Sequence, residues 1–159
     1  MATIKTKISI FIFGIVVFFA SCLDQNSVYY QYVSIDPSGW HKDSIVTFDA
    51  NITDTTSYYN VIIEIRHRNE YPYQNLYLFV NSLSPDSISV GDTLNCILAD
   101  VQGRWYGSGI GSNKNLPILY MPEIKFPQEG VYIFNVQQGM REEILEGVSD
   151  IGLKVEKAN

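Results

Sequence analysis

The stretch Tyr58–Arg68, YYNVIIEIRHR, decides how this chain is read. Tyr59, Val61, Ile63 and Ile65 fall on one side of it, Asn60, Glu64, Arg66 and Arg68 on the other, and Ile62 is the exception. Side chains of an extended strand point alternately to its two faces, so a two-residue period marks a strand with one buried and one wet face. His67 shares the parity of the apolar set and is read as a satisfied structural histidine of the core side.

The same period recurs on both sides of this stretch. Ile45–Ile52 sets Val46, Phe48, Ala50 and Ile52 against Thr47, Asp49 and Asn51. Leu76–Leu83 is apolar in both parities, as expected of a central strand. Val28–Ile35, Thr93–Ala99, Leu116–Ile124, Val131–Gln137 and Ile151–Glu156 bring the set to about eight strands. Turn-forming runs such as Asp36-Pro37-Ser38-Gly39, Ser84-Pro85-Asp86 and Gln128-Glu129-Gly130 separate them. The fold expected is all-β: a two-sheet antiparallel β-sandwich, jelly-roll-like or Ig-like. One segment departs from it. Met140–Gly147 (MREEILEG) places Met140, Ile144 and Leu145 on one helical face and stops at a glycine, so one short helix is expected near the C-terminus.

Ahead of the strands, Lys5 and Lys7 precede an apolar run, Ile8–Ala20, and Ser21-Cys22 follows. A basic start, a short apolar run and small residues behind it form a secretory signal. The run is thirteen residues long and apolar apart from Ser9; as a helix it would reach roughly 20 Å, short of the ~30 Å hydrocarbon core, so a permanent span is disfavoured. Ala20-Ser21-Cys22 resembles a bacterial lipobox, which makes Cys22 the expected lipidation site and the first mature residue. Leu23 rather than Asp behind it resembles an outer-membrane sorting signal. The expected organisation is a lipoprotein signal peptide over 1–21, lipidated Cys22 with a tether to residue 27, and one domain over 28–159.

The chain carries a formal charge of −6; residues 1–21 hold two lysines and no acid, so the remainder carries −8. An acidic domain without a basic run repels nucleic acid, and such partners are excluded. Cys96 alternates with Leu94 and Leu98 and reads as a small buried hydrophobe; with Cys22 acylated it has no disulfide partner.

Few residues here point to chemistry. Gly103–Gly111 (GRWYGSGIG) lacks the Lys-Ser/Thr and the following helix of a phosphate loop, and Ser108 is not in a GxSxG elbow. It reads as a glycine-rich connection under Trp105 and Tyr106. His41 and His67 are the only histidines and have no metal-ligand spacing. Glu142 and Glu143 are adjacent and point apart, while Asp49, Asp54 and Asp100 sit where turns are expected. No enzyme, cofactor, metal or catalytic residue is expected. The chain's excess is aromatic, at 13%. Trp40, Tyr71, Tyr73, Trp105, Tyr106 and Tyr120 lie in or beside loops, where rings with polar tips serve either as corner packing or as a sugar-holding platform. Asp43-Ser44-Ile45, Asp54-Thr55-Thr56, Asp86-Ser87-Ile88 and Asp92-Thr93-Leu94 resemble the O-glycosylation motif of the Bacteroidetes and are equally ordinary turn chemistry.

Taken together, Cys22, Trp40-His41-Lys42-Asp43, Phe48 with Asp54 and Ile65-Arg66-His67-Arg68-Asn69 begin a pattern that continues through Tyr71-Pro72-Tyr73-Gln74-Asn75-Leu76. It runs on through Asp92-Thr93-Leu94, Leu98-Ala99-Asp100, Gly103–Gly109, Phe126-Pro127, Gly130-Val131-Tyr132 and Met140-Arg141-Glu142. This pattern resembles the gliding-motility lipoprotein GldH family of the Bacteroidetes across nearly the whole mature chain. The resemblance implies a lipid-anchored, non-enzymatic component of gliding motility and the type IX secretion apparatus linked to it. Its partners would be other gliding or secretion envelope proteins and, through the acyl anchor, the bilayer. The alternative is a lipid-anchored carbohydrate-binding module. Trp40, Tyr71, Tyr73, Trp105 and Tyr106 are the expected partner surface, because loop positions are where binding residues concentrate.

Overall fold

The structure, a computed structural model, describes residues 26–158. The expected signal segment, Cys22 and most of the tether lie outside the described residues. Within the described residues ten strands follow in order: β1 Ser27–Ser34, β2 Trp40–His41, β3 Val46–Ile52, β4 Tyr59–Arg68, β5 Asn75–Leu83, β6 Ser89–Ile97, β7 Asn113–Ile124, β8 Gly130–Gln138, β9 Ile144–Leu145 and β10 Val148–Lys157. They form two four-stranded antiparallel sheets, β1-β10-β4-β7 and β3-β8-β5-β6, and a β2-β9 ribbon.

The alternation of Tyr58–Arg68 is the key to the packing. Tyr59, Val61, Ile63, Ile65 and His67 all point inward from β4 and none is more than 1% exposed. Val46, Phe48, Ala50 and Ile52 of β3, with Tyr132, Phe134 and Val136 of β8, face them from the other sheet, and Ile151, Leu153 and Val155 of β10 complete the layer. Burying the apolar face of each sheet against the other is what holds the sandwich together. β7 closes one edge of its sheet and carries Pro117 and Pro122 and two register shifts against β4, features that fit an edge and not a central ladder.

All eight expected strands form. β5 is interior to its sheet, flanked by β8 and β6, but it is not covered on both faces: Tyr77 and Phe79 are 40% and 49% exposed. The expected short helix does not form. Residues 140–147 instead make a loop that leads into β9, where Ile144 pairs with His41 and Leu145 with Trp40. Leu145 is fully buried while Ile144 is 48% exposed, a two-residue period rather than a helical one. The loop has its own partners: Gln138 accepts from the Met140 N–H through Oε1 (2.8 Å) and donates from Nε2 to the Glu142 carbonyl (2.9 Å). A segment of eight residues is far below the ~12–15 at which an isolated helix becomes marginal, so these contacts prevail.

The register fixes the two ends of the sandwich. Ser27, Lys157, Tyr59 and Ile124 meet at one end of the first sheet; Ser34, Val148, Arg68 and Asn113 meet at the other. A ten-residue strand at ~3.3 Å per residue separates the ends by roughly 30 Å.

Candidate functional site

The loops at the Arg68–Asn113 end gather most of the family-like aromatics. Tyr71 follows β4, and its hydroxyl donates to the Asn75 carbonyl at 2.8 Å. Its ring lies 5.8 Å from His67, 5.9 Å edge-on from Tyr73 and 6.5 Å from Trp105, and the His67 and Trp105 rings are 4.5 Å apart. Tyr73 donates to the Glu142 carboxylate, tying this corner to the loop before β9. Gly147 passes beneath it: at φ +90°, a Cβ there would stand 2.7 Å from Tyr71 Cα. Only glycine meets both the left-handed backbone and the close approach.

His67 is completely buried in this corner. Its Nδ1 is 3.1 Å from the Arg68 carbonyl and so carries the proton, whereas Nε2 has no hydrogen-bond partner among the described residues. Desolvation holds the imidazole below its ordinary pKa, only partly opposed by the Arg68 bond. The ring is therefore a neutral structural member of the core, and no metal-ligating cluster surrounds it among the described residues.

The glycine-rich connection packs against β7 by backbone. Ser108 and Asn115 exchange N–H···O bonds of 3.1 and 2.7 Å, and a Cβ at Gly109 would lie 2.0 Å from the Asn113 carbonyl oxygen. Gly107 and Gly109 thus serve chain-to-chain contact. Just before them, Asp100 accepts from the Gln102 and Arg104 N–H groups (both 2.9 Å) and pairs with Arg104 Nε at 2.6 Å. These bonds, that to the Arg104 N–H first, hold its carboxyl below the usual range. The tightened turn presents Val101, 85% exposed; Tyr106 and Ile110 emerge beyond it at 59% and 96%.

The five expected surface residues therefore divide. Trp40 is 1% exposed, held in the β2-β9 ribbon with its Nε1–H on the Ser44 carbonyl at 3.0 Å. Tyr71 is 3% exposed. Neither can meet a partner: both are core residues, because the ribbon covers one and the Gly147 crossing the other. Tyr73 and Trp105 are half-buried, and Tyr106 is open. With Trp40 and Tyr71 inside, the loop aromatics form no continuous ring platform.

The sequence pattern also missed a cluster. Glu64, on the outward parity of β4, is only 7% exposed. Tyr32 donates to its Oε2 at 2.5 Å, Asn115 Nδ2 donates to the same oxygen at 2.7 Å, and Tyr30 reaches Oε1 at 3.3 Å. The Tyr32 ring lies over Gly152, where a Cβ would be 2.7 Å from it, and Arg66 covers the ring at 3.6 Å. Burial first, then the Glu64 bond, raises the Tyr32 phenol far above its ordinary pKa. The only hint in the sequence is Tyr30 and Tyr32 at a spacing of two.

Fold and loops define a class: a single antiparallel β-sandwich that presents an aromatic corner and exposed apolar side chains at one end. The GldH lipoprotein family profile matches residues 27–155. The chain is 35% identical to the gliding motility lipoprotein GldH homolog of Christiangramia forsetii, over 98% of this chain and 99% of that one. It is 36% identical to gliding motility lipoprotein GldH of Flavobacterium johnsoniae, over 86% and 88%. The chain belongs to the GldH family of gliding-motility lipoproteins.

Proposed function

We propose that this protein is a non-enzymatic component of the gliding and type IX secretion machinery, anchored in the outer membrane through acylated Cys22 and working by protein–protein contact. The observation that carries the reading is the opposition of anchor and loops. Four residues separate Cys22 from Ser27. At no more than ~3.6 Å per residue, Ser27 stays within roughly 18 Å of the acylated cysteine. Ser27 begins β1 at the end opposite Tyr106, so the anchor keeps that end near the bilayer and turns the exposed Val101, Tyr106 and Ile110 away from it. Tyr106, the rims of Tyr73 and Trp105, and these two aliphatic residues make the proposed partner surface.

The test is affinity purification of detergent-extracted protein from cells grown with labelled palmitate. Label should depend on Cys22, and envelope proteins should co-purify in amounts that fall in a Tyr106→Ala, Ile110→Ser variant of unchanged melting temperature. An unlabelled protein in the soluble fraction overturns the anchor; identical co-purification by the variant overturns the surface.

A further inference from the structure

The outward faces of the two sheets differ in kind. That of β1-β10-β4-β7 is charged, with Glu64, Arg66, Asp150, Lys154 and Glu156 on it. On the outward face of β3-β8-β5-β6 the only charged side chain among the described residues is Asp49. In its place stand two half-exposed rings, Tyr77 and Phe79, with side-chain amides around them. Asn95 is opposite Tyr77, Gln137 is opposite Phe79, and Asn81 and Asn135 are opposite each other one step along. Asparagine is unfavourable inside strands, so its repetition on one sheet face conflicts with local propensity, and such conflicts gather at functional sites.

Phe79 stands between two open clefts of about 400 and 450 Å³. Gly139 keeps the first one open beside it; a Cβ there would meet the Phe79 ring at 3.2 Å. Each of the four amides has one partner. Asn81 Nδ2 donates to Ser89 Oγ and Asn135 Oδ1 accepts from Thr47 Oγ1, both at 2.8 Å; Asn95 Oδ1 accepts from Asn75 Nδ2 at 2.7 Å, and Gln137 Nε2 donates to the Lys42 carbonyl. Each amide has donor and acceptor capacity beyond a single bond.

We propose that this sheet face binds an uncharged oligosaccharide, the sugar rings lying against Tyr77 and Phe79 and their hydroxyls meeting the amides of Asn81, Asn95, Asn135 and Gln137. Aromatic faces accept the apolar side of a flat ligand. Amides donate and accept, as hydroxyls do. The strands of this face carry no lysine or arginine among the described residues. Arg141 lines the first cleft but is offset there by Glu142, and Asp92 lines the second, so a polyanion meets an acidic balance. A protein partner calls for an apolar centre with a polar rim, whereas here the amides are interleaved with the rings. The face adjoins the loop surface proposed for partners at Tyr73, which also lines the first cleft, and shares neither Tyr106 nor Ile110 with it.

Isothermal titration of the detergent-extracted full chain would use cellohexaose, mannohexaose and N-acetyl-chitohexaose, with polygalacturonate as the charged contrast. At least one neutral oligosaccharide should bind and polygalacturonate should not. Phe79→Ala should weaken binding about tenfold at an unchanged melting temperature, and Gln137→Ala should weaken it less, while Tyr106→Ala leaves it intact. No binding by any neutral oligosaccharide, equal binding by Phe79→Ala, or binding of polygalacturonate overturns the proposal. So does a Phe79→Ala protein that loses co-purifying proteins without the parent binding any sugar; the loop-surface reading is tested separately by Tyr106→Ala.

Discussion

Replacing Trp40 with alanine separates the core reading of the aromatic loops from the surface one. The indole is 1% exposed and its Nε1–H bonds the Ser44 carbonyl at 3.0 Å. Truncating a buried tryptophan costs about 3–5 kcal/mol, and the orphaned carbonyl adds about 1 kcal/mol where water cannot replace the indole. A loss of roughly 5 kcal/mol is expected. In a domain of this size that lowers the melting temperature by roughly 15–20 °C. Tyr106→Ala is the internal control, since its ring is 59% exposed and its hydrogen bond to Leu98 is made by the backbone N–H. It should stay within about 0.5 kcal/mol of the parent. Urea titration of both variants, followed by fluorescence, measures the difference. A Trp40→Ala protein within about 1 kcal/mol of the parent would refute the packing described for the β2-β9 ribbon.

Three further outcomes follow from particular residues. Gly147→Ala forces a Cβ to 2.7 Å from Tyr71 Cα at φ +90° and should cost about 2–3 kcal/mol by denaturant titration, whereas Gly111→Ala, at φ +66° in open space, should cost about 1 kcal/mol. His67 is held neutral by burial, so the unfolded chain takes up its proton first as pH falls; stability should be complete above the ordinary histidine pKa near 6.5 and fall below it by at most ~1.4 kcal/mol per pH unit. His67→Phe should flatten that limb of a stability–pH series, and an unchanged slope would rule the imidazole out as its source. Cys96 is 2% exposed and burial pushes its thiol up to about 12, so maleimide at pH 8 should label it only in denaturant; rapid labelling of the folded protein would contradict the buried site.

Strands whose apolar residues meet a single core are legible in the sequence itself. β3 and β4 each carry their burial pattern in the alternation, and Cys96 and His67 take their places by parity alone. The segment from Met140 to Gly147 is not legible in that way, because Ile144 and Leu145 satisfy a helical stripe and a two-residue bridge equally. What decides between them is Trp40, about a hundred residues earlier, which offers β9 a backbone partner and a buried seat for Leu145. Trp40 and Tyr71 turn inward, against expectation, for a related reason: a loop position says nothing of what is laid over it.

Glu64 carries the point furthest. Its parity on β4 assigns it to water, and parity is obeyed, yet it is 7% exposed. Three strands other than its own must align for that to happen. β10 contributes Gly152, whose missing side chain leaves room for a ring; β1 lays Tyr32 into that room; β7 brings Asn115 to the carboxylate. None of these partners is within thirty residues of Glu64, so no local window contains the information. A sequence period tells which face a residue is on. Whether that face is open depends on inter-strand register, and the same register leaves Phe79 uncovered on the opposite sheet, where the apolar pattern of β5 implies a cover.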